Sequence, residues 1–142
     1  MPTRRATADP KVPSARQQLA DHLTPELPAS WVVIPHEPEL DATIGKTSLY
    51  ISQQRINRHP AAPMGKQLVT FTLRLICPDT AVQTREDSLE DSVSELLFEL
   101  ERLGAAFVWS EASKVMHGAY LAYDVDLTMT GNKPRPTEKR GA

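Results

Sequence analysis

One cysteine, Cys77, stands in a chain of 142 residues, so no disulfide can close within it. Composition of this kind fits a reducing compartment. Cys77 ends an apolar segment just before Pro78, and no histidine is patterned beside it. A small buried thiol is therefore expected rather than a nucleophile. Glycine is scarce, with 6 residues, and none of them builds a phosphate-cradling loop, a Walker motif or a nucleophile elbow. No apolar run approaches the roughly 20 residues that a membrane span needs. The opening MPTRRATADPK lacks the apolar centre of a secretory signal, which points to a protein made and assembled in the cytoplasm. Neither sign of charge dominates. The formal net charge of -2 sets up no global field to recruit nucleic acid or membrane. The 4 histidines, His22, His36, His59 and His117, show no metal-ligand spacing with one another or with Cys77. Each is expected to be a solvated surface group. No cofactor and no metal are implied.

What the chain does hold is a strong helical signal over residues 85–104, REDSLEDSVSELLFELERLG. Leu89, Val93, Leu96, Leu97, Leu100 and Leu103 recur at the three-and-four spacing that lines up one face of an α-helix. Glu86, Asp87, Glu90 and Asp91 crowd its first turns, where the helix dipole favours negative charge, and Gly104 stands where a left-handed cap would end it. Phe98 breaks the pattern, falling opposite the leucine stripe among Asp87, Asp91, Ser94, Glu95 and Arg102. It is either a lone exposed aromatic or an anchor for another subunit.

The remaining elements fall into place around this helix. Residues 1–12 read as a flexible basic arm and residues 131–142 as a flexible basic tail, leaving 13–130 as a single α+β domain. Pro13 suits the first position of a short N-terminal helix whose stripe is Val12, Ala15, Leu19 and Leu23. Trp31-Val32-Val33-Ile34 reads as a short buried strand. Residues 46–56 and 66–77 alternate with period two and form a long hairpin, whose extended loop 57–65 holds Pro60 and Pro63. After the helix, residues 105–112 and 119–130 form a second hairpin across a turn at 113–118. The 12 prolines all fall in arms, loops or element boundaries. The expected fold is α+β: a mostly antiparallel sheet of two hairpins packed under one long amphipathic helix, with the short N-terminal helix beside it.

Two clusters bear on function. Asp124 and Asp126 share one face of a strand, and paired carboxylates can do acid–base work, although a solvated sheet face is the plainer expectation. The first hairpin places Arg55, Arg58, His59 and Lys66 around its prolines. That tip is either solvated or a semi-rigid basic device for reaching a neighbour, with the acidic outer face of the long helix as its complement.

The hairpin SLYISQQRINRHPAAPMGKQLVTFTLRLIC, the helix DSLEDSVSELLFELERLG and the closing AAFVWSEASKVMHGAYLAYDVDLTMT resemble, in size, order and residue type, the tail terminator proteins of long-tailed, non-contractile bacteriophages. Related neck and tail-completion proteins look similar. The resemblance runs from about Pro13 to Thr130. It implies an α+β sandwich assembled as a hexameric ring on the head-proximal end of the tail tube, with no catalysis and no cofactor. Its implied partners are further copies of itself, the tail tube protein and the head–tail connector or a head completion protein. Genome DNA would pass through the ring without specific binding, no membrane is involved, and the protein would reside in the virion's tail or neck. By analogy, Phe98, Asp91, Glu95 and Arg102 would line the subunit contact. Arg55, Arg58, His59 and Lys66 would touch the tube or a neighbouring subunit. The competing reading is a small intracellular enzyme or ligand-binding domain, which would require Asp124 and Asp126 to converge with a histidine in a pocket.

Overall fold

A computed structural model describes residues 14–58, 66–104 and 106–132. The arm 1–12, Pro13 and the stretch 133–142 lie outside these residues, as does the loop 59–65. In chain order the elements are α1 (Ala15–Leu23), β1 (Val32–Ile34), β2 (Ser48–Arg58), β3 (Lys66–Ile76), α2 (Arg85–Glu101), β4 (Phe107–His117) and β5 (Tyr120–Asn132). The five strands form one sheet in the order β1-β2-β3-β5-β4. β1 runs parallel to β2, and every other pairing is antiparallel. The fold is α+β.

Helix α1 begins at Ser14, whose Oγ accepts a hydrogen bond from the Gln17 N–H at 3.1 Å. A side-chain acceptor at this position satisfies one of the donors that the first turn leaves open. At the other end Thr24 closes the helix and Pro25 prevents its continuation. Leu19, Ala20 and Leu23 are buried and Ala15 is half-buried, so the apolar stripe is the core face.

Helix α2 extends about 25 Å, at about 1.5 Å per residue. Leu89, Val93, Leu96 and Leu100 are buried on it, while Leu97 and Leu103 are half-buried against the same core. Their partners are Leu49 and Ile51 of β2, Val69, Phe71, Leu73 and Leu75 of β3, and Val125, Leu127 and Met129 of β5. Both helices thus share one face of the sheet. Gly104 has φ +104°, a backbone that L side chains rarely adopt, and the chain turns there into β4. Cys77 is buried, as expected.

Several boundaries differ from the sequence-based expectation, and two β-bulges account for most of the difference. β2 continues to Arg58, and an extra residue at Gln54, between Gln53 and Arg55, shifts its register against β3. The alternation therefore flips. Arg55 lies opposite Thr70 on the face away from the helices, and Ile56 lies opposite Val69 on the helix face. β4 likewise runs through residues 113–117, where a turn was expected. Its bulge at Ser110 shifts Glu111 and everything after it by one position. The real turn is Gly118–Ala119, with Gly118 at φ +59°. β5 extends two residues into the expected tail, to Asn132. β1 is only three residues long and half-buried rather than buried, because it sits at the edge of the sheet.

Candidate functional site

The outer face of α2 presents Asp91, Glu95, Phe98 and Arg102 in one stripe, since their spacings of four, three and four return to the same side of a helix. All four are exposed, Phe98 to 62%. Arg102 folds back so that its guanidinium carbon lies 5.8 Å from the centre of the Phe98 ring. At 3.6 Å it also faces Glu99, a carboxylate buried toward the core that the sequence pattern did not single out. A cation over the ring holds Phe98 in place but leaves most of it in water. The helix is thereby two-sided, with a core face of leucines and an outer face carrying one large aromatic.

The basic hairpin divides. Arg55 is exposed and sits on strand β2 beyond the Gln54 bulge. Arg58 is the last residue of β2 and Lys66 the first of β3. His59 lies outside the described residues.

The sheet face away from the helices carries a polar band, including Ser52, Thr70, Thr72, Asp126 and Thr128. At one end the segment 35–47 folds over it beside a half-open cavity of about 390 Å³, lined in part by Glu37, Tyr50, Arg74, His117 and Asp124. Arg74 grips Asp124 with two hydrogen bonds, Nε to Oδ1 at 2.7 Å and Nη2 to Oδ2 at 2.8 Å. The Asp124 carboxylate holds the Arg74 pKa above its ordinary value, by hydrogen bonding first and charge second, against the opposing pull of burial.

His117, expected at the surface, is 1% exposed. It is the last residue of β4 and points into the polar face beneath segment 35–47. Its Nε2 lies 3.1 Å from the Glu39 carbonyl oxygen and its Nδ1 lies 3.3 Å from Arg74 Nη1. A carbonyl can only accept and a guanidinium can only donate. The two contacts fit the tautomer with the proton on Nε2 and a lone pair on Nδ1 facing Arg74. The other two described histidines, His22 and His36, are exposed as expected.

Asp124 and His117 thus do meet, but through Arg74. Both Asp124 oxygens are engaged by Arg74, and both His117 nitrogens have partners. Asp126 lies opposite Thr72 and Glu111 and does not line the cavity. Among the described residues no group of three or more acids, histidines or cysteines is placed to hold a metal, and no helix is long and apolar enough to cross a membrane. Sequence reasoning passed over Arg74, whose signal was a charge inside the apolar and threonine-rich run 68–76 of β3.

No family model matches the chain, and comparison with curated proteins gives no match. The geometry itself describes an α+β domain with one helix-covered face, one partly covered polar face and an outward-facing helical stripe.

Proposed function

We propose that this chain is a structural ring component of a long-tailed, non-contractile phage tail, of the tail terminator kind. Copies assemble into a hexameric ring that covers the head-proximal end of the tail tube, stops its growth and presents a new surface to the head–tail connector. The role is one of assembly and not of catalysis. It rests on the resemblance in element order and residue type, and the observation that carries it is the exposed Phe98. A large aromatic clamped by Arg102 and flanked by Asp91 and Glu95 is a suitable anchor at a protein contact, because aromatic and arginine side chains dominate such contacts. In this reading the stripe on α2 meets a neighbouring subunit. Arg55, Arg58, His59 and Lys66 of the first hairpin meet the tube or a neighbour. The cavity beside Arg74 is structural, with its polar groups already satisfying one another.

Co-assembly tests this. Added to polymerising tube protein, the chain should appear as rings at one end of the tubes and should shorten them as its concentration rises. Tubes of unchanged length with no bound protein would overturn the proposal.

A further inference from the structure

Both lateral edges of the sheet are open among the described residues, and they differ. β4 closes one side and has β5 as its only neighbour. On the other side β1 pairs with β2 only from Ser48 to Tyr50, and Arg16, His36 and Glu37 flank Ser52 and Gln53, leaving the part of β2 from Gln54 to Arg58 as a second edge among the described residues. An uncovered strand offers a row of backbone donors and acceptors to another strand. β2 and β4 run in opposite directions, since three antiparallel steps separate them. Setting β4 of one copy against β2 of the next, with the sheets continuous, therefore makes an antiparallel pair. The contact is head to tail and leaves the same two edges free at the ends of the assembly, which is the kind that can close into a ring.

Resting on the ring reading above, we propose that neighbouring copies join by this edge pairing, with Arg55 of one copy beside Glu111 of the next. The registers within one chain give the heights of the residues. The Ser52 row passes through Thr72 and Asp126 to Glu111, and the Arg55 row passes through Thr70 and Thr128 to Val108. A level junction would drive Ser113 and Val115 into the neighbour's β1, because these residues share rows with Tyr50 and Ser48. A stagger of about four residues toward the hairpin tip carries Ser113 and Val115 clear of β1, to the rows of Arg55 and Ser52, leaving only the last residue of β4, His117, level with Tyr50; closed sheets require such a stagger. The same shift brings Glu111 diagonal to Arg55, within reach of a long side chain.

The faces agree as well. Arg55 and Glu111 both lie on the face away from the helices. On the helix face the shift sets Ile56, 50% exposed, beside Ala112. Charge is complementary and unspent: among the described residues Arg55 makes no ion pair, while Glu111 accepts a hydrogen bond from Ser113 Oγ at 3.3 Å. The bulges at Gln54 and Ser110 bend the edges beside this contact and limit how far the pairing runs. Bulges also discourage indiscriminate edge association, so specificity falls to the side chains that flank them.

Reversing each charge tests the pairing. Arg55→Glu alone and Glu111→Arg alone both place like charges across every junction. At low salt each should assemble roughly tenfold more weakly than the wild type in sedimentation velocity, alone and with tube protein present. Both sites are exposed, so melting temperatures should stay close to that of the wild type. Mixed in equal amounts, the two variants should recover assembly, because alternating copies restore an opposite pair at each junction. Wild-type rings with variants that assemble equally well would overturn the edge pairing while leaving the ring. So would losses that mixing does not repair, the result expected if a terminal segment of the same chain covers the edge. A wild type that remains a monomer under both conditions would end the ring reading itself.

Discussion

Arg74 on β3 and Asp124 on β5 face each other directly across the sheet and lock in a two-pronged ion pair at 2.7 and 2.8 Å. Their side chains keep 29% and 21% of their exposure, so the pair is neither a solvated surface bridge nor a fully desolvated one. Asp124→Ala should lower stability by roughly 1–2 kcal/mol, more than an exposed pair is worth and less than breaking a buried one. Chemical denaturation of the two proteins measures the difference. Replacing both partners with apolar residues of similar size should cost less than the single change, because no charge is then left without its partner.

His117 should carry its ring proton on Nε2, the tautomer that both of its contacts fit. Nitrogen-15 spectra distinguish this directly, since the protonated and unprotonated ring nitrogens resonate far apart. His117→Ala removes the acceptor for Arg74 and the donor for Glu39 together, at a cost of about 1–3 kcal/mol. It should also free segment 35–47, read as faster amide exchange there than in α2.

Asp79 organises the entry to α2. Its carboxylate accepts from Thr84 Oγ1 at 2.7 Å, from the Ala81 N–H at 2.9 Å and from Ser88 Oγ at 2.9 Å. The Thr84 bond foremost, then those from Ala81 and Ser88, hold its pKa below the ordinary carboxylate value. The sign follows from linkage. A carboxyl whose folded pKa is depressed adds stability above its unfolded pKa, near 4, and loses it as pH falls through the lower folded value. Asp79→Asn should therefore melt below the wild type at pH 7, and the gap should narrow in acid as both proteins come to carry a neutral group there.

Phe98 and Leu96 lie on opposite sides of α2, and their truncations should separate cleanly. Leu96→Ala opens the core and should cost about 2–5 kcal/mol of stability. Phe98→Ala should change the monomer's stability by less than about 0.5 kcal/mol while weakening association between copies. Unfolding and sedimentation measured on both variants give the comparison. A destabilised Phe98→Ala that associates normally would mean the ring is core.

The helices and the strand faces could be read in the chain because a single period governs each. Leu89, Val93, Leu96 and Leu100 repeat as an uninterrupted helix requires, and Val69, Phe71, Leu73 and Leu75 alternate without a break. Reading failed where an extra residue reset the alternation. Ser110 made the second half of β4 look like a turn, and that misplaced His117 in solvent. Gln54 reset the alternation within β2 and turned Arg55 to the face away from the helices. Nor does local pattern reveal what lies across a sheet, so Arg74, Asp124 and His117, distant in sequence, showed no joint signal until the strands were in register. The exposure of Phe98 was legible because it depends only on the phase of its own helix.

The ring reading stands or falls most directly on where the protein sits in the particle. Virions carrying this subunit tagged with a small electron-dense label, imaged and averaged about the tail axis, should show label only at the head–tail junction, in a ring of sixfold symmetry. Label distributed along the tail, confined to its distal tip, or absent from purified virions would contradict it.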